Sequence, residues 1–139
     1  MQTIYPNLAI GNHVDMYVAL YVQSTFVAVL DLTSELSTRK WNRNGLALKK
    51  IGLAKNKAIA PSKIQKAIDF IQEHRSQNHS VLVGCDDGQR SKLIGIAYLI
   101  TKGYDIAEAA EVAGGADVES LSYIIKFVEK VAVKEEVAL

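Results

Sequence analysis

The chain of 139 residues contains one cysteine, Cys85. A single thiol excludes an internal disulfide framework and fits a reducing compartment, so a cytoplasmic location is expected. An excess of charge of either sign is also missing: 16 basic and 15 acidic side chains leave a formal charge of +1. That balance offers no electrostatic footprint for nucleic acid or for a membrane surface. Long hydrophobic runs are absent as well. The most apolar region, Val14 to Leu32, is interrupted by Asp15, Gln23, Ser24 and Asp31 and cannot cross a bilayer as one span. The opening residues, Met1-Gln2-Thr3-Ile4-Tyr5-Pro6, lack the basic start and apolar stretch of a secretory signal. His13, His74 and His79 are scattered, match no metal-ligand spacing and read as surface histidines. No metal or cofactor is expected. With no repeat, linker or low-complexity tract, residues 1–139 are expected to form one domain.

What is present is an alternation of strand-length and helix-length patterns. Leu8 to Gly11 reads as a strand, and Asn12 with Asp15 can box the start of a helix near Val14. Phe26 to Leu32 is a continuous apolar run, as expected for a strand buried on both faces. Thr33 to Asn44 is polar, a loop holding Trp41 beside Arg39, Lys40 and Arg43, where the tryptophan can line a pocket mouth or pack back onto the domain. Leu46 to Leu53 reads as a strand nearer the sheet edge. Lys49, Lys50, Lys55 and Lys57 around it form either a basic rim or a guarded strand edge. Pro61-Ser62 starts a helix, with Ser62 and Gln65 as a capping box and Ile64, Ala67, Ile68 and Ile71 on one face.

After a turn at Gln77-Asn78-His79, Ser80 to Val83 reads as the central strand. The helix carrying Leu93 to Ile100 is apolar almost all round and is expected at the centre of the molecule, ended by Gly103. Asp105 and Glu108 box a further helix. Gly114-Gly115 breaks the chain, and Asp117 opens a last helix with Leu121, Ile124, Ile125 and Val128 on its apolar stripe. Tyr17, Tyr21 and Tyr123 are expected in the core. The pattern predicts an α/β domain, a mostly parallel central sheet flanked by helices.

Between the central strand and the central helix lies Val81-Leu82-Val83-Gly84-Cys85-Asp86-Asp87-Gly88-Gln89-Arg90-Ser91. A tight loop that opens a helix presents backbone N–H groups and the positive end of the helix dipole to one spot. That field favours thiolate over thiol and makes a cysteine nucleophilic, while Asp86 and Asp87 oppose it; the other reading of Cys85 is a small buried hydrophobe at a strand end. Arg90 supplies forked donors for a tetrahedral anion. An α/β sheet places such a loop at the carboxyl end of a strand, where these folds bind ligands. Asp86 and Asp87 read either as acid–base groups or as solvated turn formers.

On these residues the chain resembles the small dual-specificity phosphatases, a branch of the cysteine-dependent protein tyrosine phosphatases. Ile4-Tyr5-Pro6-Asn7-Leu8-Ala9-Ile10-Gly11 is similar to that family's opening strand, and Val29-Leu30-Asp31-Leu32-Thr33 to its second. Ile64 to Ile71 resembles the helix before the signature. Arg90-Ser91 with Ile96 to Ile100, and then Gly103 to Ala109, resemble the helices behind the phosphate loop. The resemblance implies a phosphatase-like fold and a Cys85 nucleophile that forms a phosphocysteine. Arg90 would bind the equatorial oxygens, and Ser91 would donate to the departing sulfur. Asp86, Asp87, Gly88 and Gln89 would line the anion site. It implies a phosphorylated protein or a small anionic substrate.

The chain departs from that pattern in three places. Four residues separate Cys85 from Arg90, one fewer than the family carries. Gly84 stands where the family has histidine. Leu53 to Ser62, the stretch matching the family's general-acid loop, has no acidic residue. A weak or silent phosphatase is therefore expected. The shorter Cys-x-x-Gly-x-Arg-Ser loop is also similar to that of single-domain rhodaneses, which implies, as an alternative, sulfur transfer through a Cys85 persulfide. A second alternative is a non-catalytic anion- or phosphoprotein-binding module.

Overall fold

A computed structural model describes residues 1–22, 26–33, 46–54 and 57–138, with side chains outside 20, 22 and 132–138. Arg39, Lys40, Trp41, Arg43 and Lys55 lie outside the described residues. Five strands form one sheet: β1 (Gln2–Tyr5), β2 (Leu8–Gly11), β3 (Ala28–Asp31), β4 (Ala47–Lys50) and β5 (Val81–Gly84), in the order β1-β2-β5-β3-β4. Only the β1–β2 hairpin is antiparallel; β2–β5, β5–β3 and β3–β4 run parallel.

The continuous apolar runs in the sequence arise because both faces of this sheet are covered. On one face Leu8, Ile10, Ala28, Leu30, Val81 and Val83 pack into the main core with Ile64, Ala67, Ile71, Leu93, Ile94, Ile96 and Ile124. On the other, Ala9, Val29 and Leu82 pack with Met16 and Ala19. The strand period of two sends alternate residues to each side. β4 is an edge strand with Lys49 and Lys50 exposed, which matches a guarded edge.

Among the described residues five α-helices flank the sheet. The first, α1 (His13–Tyr17), is opened by the reciprocal Asn12–Asp15 capping box and runs on into a π-helical turn, Val18–Val22. The others are α2 (Pro61–Ser76), α3 (Gln89–Thr101), α4 (Ile106–Val112) and α5 (Val118–Ala138). α3 buries every residue from Leu93 to Leu99. Truncating one of its large aliphatic side chains to alanine would cost about 2–5 kcal/mol. Gly103, at φ 99°, closes this helix. The Tyr104 amide bonds back to Leu99 and the Gly103 amide to Ile100, a Schellman pair.

Some sequence expectations change in the structure. Ala60, not Ser62, is the N-cap of α2, and it makes no side-chain cap. Pro61 takes the first helical position, which leaves Ser62 inside the helix, and Gln65 bonds forward to Asp69. Tyr17 and Tyr21 are 53% and 51% exposed rather than in the core, because the inner face of α1 and of the π-helical turn after it is filled by Met16 and Ala19. On α5, Ile124 is buried while its neighbour Ile125 points outward. No helix among the described residues is long and apolar enough to cross a membrane.

Candidate active site

The loop between β5 and α3 stands at the carboxyl edge of the sheet's central strand. Register pairs Gly84 with Gly11 of β2 and with Asp31 of β3, so the loops after all three strands meet there. The Cys85 amide donates to the Gly11 carbonyl (3.3 Å), and the Leu32 amide donates to the Gly84 carbonyl (2.8 Å).

Cys85 is 1% exposed. Polar groups close over its sulfur. The Gly88 amide donates to Sγ at 3.1 Å and the Ser91 amide at 3.4 Å. Asp87 Oδ1 lies 3.8 Å from Sγ, and Ser91 Oγ lies 3.7 Å away. Gly88 occupies the left-handed region (φ 87°) as the N-cap of α3, which turns its amide inward. Two backbone donors and the start of a 13-residue helix therefore face one sulfur.

The remaining loop residues are placed as follows. The Gln89 amide donates to Asp87 Oδ1 at 3.0 Å, so the Asp87 carboxylate folds over the start of α3. Ser91 Oγ donates toward the carbonyls of Gly11 (2.8 Å) and Gly88 (2.9 Å). The sulfur's nearer partner from this residue is its amide, not its hydroxyl. Arg90 is buried, and its Nη2 donates to the carbonyls of Ala54 (2.8 Å) and Lys57 (2.7 Å). Its Nε and Nη1 make no bond among the described residues. The carbonyls that hold Arg90 belong to the stretch that lacks an acid, so that segment serves the site as a clamp on the guanidinium.

Beside the loop lies a cavity of about 250 Å³, lined by Asp87, Gln89, Arg90 and Leu93 and by Asp117, Glu119, Ser120 and Tyr123 of the α5 start. Asp117 caps α5, accepting the Ser120 amide at 2.6 Å. That bond holds its carboxyl below the usual carboxylate range. At the start of α4, Asp105 is lowered in the same way by the Glu108 amide, whereas Glu108 is raised by its hydrogen bond to the Asp105 carboxylate. Among the described residues no cluster of His, Cys, Asp and Glu can hold a metal.

Two contributors are not apparent from sequence. His13 is half-buried, and its Nδ1 lies 2.7 Å from the Asp86 carbonyl. The carbonyl can only accept, so Nδ1 carries the proton and α1 ties down the loop. Met16 packs against Gly84, where any Cβ would overlap its Cγ and Sδ. The only sequence signal for either is position: both follow β2, whose end is in register with the end of β5.

No protein-family model and no curated protein matches the sequence. Solved structures do. Human DUSP28 superposes with a TM-score of 0.76 at 14% identity, over 96% of this chain and 99% of that one. A mouse putative dual-specificity phosphatase, crystallised with zinc tungstate, gives 0.75 at 15% identity, over 96% and 89%. The fold is that of the dual-specificity phosphatases. PTPMT1, solved in complex with PI(5)P, shares this phosphatase fold with a TM-score of 0.74 at 16% identity, over 96% and 97%. The phosphatase fold agrees with the likeness read from the opening strand, from Val29 to Thr33 and from the helices on either side of the cysteine loop.

Proposed function

We propose that the chain is a cysteine-dependent phosphatase of low activity, acting on phosphate monoesters whose leaving oxygen needs no proton. A small aryl phosphate with an acidic phenol has that chemistry; the phosphotyrosine of a protein, whose phenol has a pKa of about 10, is expected to turn over more slowly. The observation that carries the reading is the convergence of the Gly88 and Ser91 amides on Cys85 Sγ at the start of α3. In this reading the Cys85 thiolate attacks phosphorus, an S–P bond forms and the ester P–O bond breaks. The aryl oxide leaves with the electron pair. Water then attacks the phosphocysteine, and inorganic phosphate and the thiolate are released.

Arg90 is the anion-binding side chain, its plane fixed by the Ala54 and Lys57 carbonyls and its Nε and Nη1 left for two phosphate oxygens. Asp86, Gly88 and Gln89 contribute backbone to the loop around the anion. Ser91 steadies that loop through Gly11 and Gly88, and its amide supports the sulfur as it departs. Without an acid in Leu53 to Ser62, alkyl phosphates are expected to turn over about 10²–10⁴-fold more slowly than in an enzyme with a general acid. A reactive thiol of this kind suits a reducing cytoplasm.

Purified protein with p-nitrophenyl phosphate tests the proposal. Turnover that disappears in Cys85→Ser supports it. Tungstate binding with no turnover would leave a binding module, and thiocyanate formed from thiosulfate and cyanide would favour a persulfide carrier.

A further inference from the structure

His74 and His79 read from their spacing as separate surface histidines, but the structure joins them at the end of α2. Both are half-buried, their Nδ1 atoms are 3.0 Å apart, and their ring centroids are 5.3 Å apart with planes 28° from parallel. Once a ring radius is taken from each end of the centroid line, the two nitrogens are left facing each other along it. Two bare lone pairs at that distance repel, so a positive group stands between them. A metal does not fit, because two in-line zinc–imidazole bonds of ~2 Å would need about 4 Å. A proton does. One Nδ1–H donates to the other Nδ1, which fixes the two neutral rings in opposite tautomers.

The backbone around this bond is a Schellman turn. Asn78 stands in the left-handed region (φ 61°), the His79 amide donates to the His74 carbonyl (3.0 Å), and the Asn78 amide donates to the Arg75 carbonyl (3.0 Å). The side chains at the positions of His74 and His79 ordinarily close such a turn by an apolar contact. Here the closing contact is polar and can gain protons. The turn leads directly into β5: the Val27 and Ala28 amides donate to the Ser80 carbonyl, and the Val81 amide donates to the Asn7 carbonyl.

We propose that the His74–His79 pair is an acid-released latch that fastens the end of α2 to the entry of β5. The neutral pair shares one proton. A first added proton leaves a charge-assisted N–H···N bond at a helix end that favours positive charge, with the Phe70 ring 4.6 Å from that of His74. A second leaves two cationic N–H groups face to face with no acceptor between them, and the latch opens. Among the described residues no carboxylate bonds either ring to offset that repulsion. Arg75 is turned away, held by the Pro6 carbonyl, the Tyr98 hydroxyl and the Tyr5 ring. Glu73 is exposed on α2, and Lys102 lies over Tyr98 on α3. The segments bonded to the turn, Pro6–Asn7 and Val27–Ala28, carry no charge.

Nitrogen NMR of the imidazole rings in the full chain at pH 8 tests the shared proton. One ring is expected to carry its proton on Nδ1 and the other on Nε2; both rings protonated on Nε2 would overturn the latch. Urea unfolding of His74→Ala, His79→Ala and the double variant then measures the coupling. At pH 8 it is expected to favour the folded state about fivefold, the worth of one net hydrogen bond, and at pH 4.5 to vanish or reverse. The same coupling at both pH values would reduce the pair to an ordinary packing contact and overturn the latch. His74→Leu combined with His79→Leu restores an apolar closure, and this variant is expected to lose less stability than wild type between pH 8 and pH 4.5. An equal loss would place the acid sensitivity elsewhere and overturn the latch too. Where the alanine variants fold poorly, the leucine pair and the wild-type tautomers still decide.

Discussion

Met16 fills the space that a side chain at position 84 would need: a Cβ built on Gly84 overlaps Met16 Cγ and Sδ. The glycine just before Cys85 is therefore a packing requirement set by α1. Gly84→Ala is expected to destabilise the protein by about 1–3 kcal/mol, as overpacking of a closed core does. The same substitution should cost clearly less in a Met16→Ala background, where the space is vacant. Urea unfolding of the two single variants and the double variant measures the coupling; independent effects would show that the two side chains do not compete. Gly84→His alone is expected to misfold the loop, so histidine can be accommodated there only after Met16 is reduced.

His13 holds the cysteine loop from outside, through Nδ1 and the Asp86 carbonyl. His13→Ala is expected to loosen the loop and weaken phosphate binding by about fivefold, the worth of roughly 1 kcal/mol for one lost hydrogen bond. The melting temperature should fall by about 3–5 °C, the shift that roughly 1 kcal/mol brings in a domain of this size. Calorimetry and a thermal melt read the two effects separately. An unchanged phosphate affinity would remove His13 from the site.

The Asp117 carboxyl is held below its usual range by the Ser120 amide. A group whose folded pKa is depressed adds stability above its unfolded pKa and loses it as pH falls through the folded value. The wild-type advantage over Asp117→Ala is thus expected to be full at neutral pH and to shrink below about pH 4, near the ordinary carboxylate pKa. Chemical unfolding of both proteins between pH 7 and pH 3 checks the sign. A gap that widened toward acid pH would contradict the cap.

Much of the fold is legible in the sequence because strand and helix periods are clean. β3 and β5 are apolar on both faces, α3 is apolar all round, and Asn12, Gly103, Asp105 and Asp117 mark helix ends where the structure has them. Legibility fails where a local signal competes with a stronger neighbour. Ser62 looks like a cap, but Pro61 begins the helix one residue earlier. Tyr17 and Tyr21 have helical spacing like core residues, yet α1 meets the sheet through Met16 and Ala19.

At the proposed site, the sequence singles out Cys85, Arg90 and Ser91 as candidates by order alone, and the structure brings them together in one loop. The sequence cannot show that Arg90 is pinned by the Ala54 and Lys57 carbonyls, because that contact depends on where distant segments meet. Neither can it show that His13 reaches the loop, because that contact follows from the register of β2 against β5.

Mass spectrometry of the protein quenched in acid during turnover of p-nitrophenyl phosphate tests the role of Cys85 most directly. The predicted result is one phosphoryl group on the peptide that carries Cys85, absent in Cys85→Ser. Turnover that persists in Cys85→Ser, with no phosphoryl group on that peptide in wild type, would contradict it.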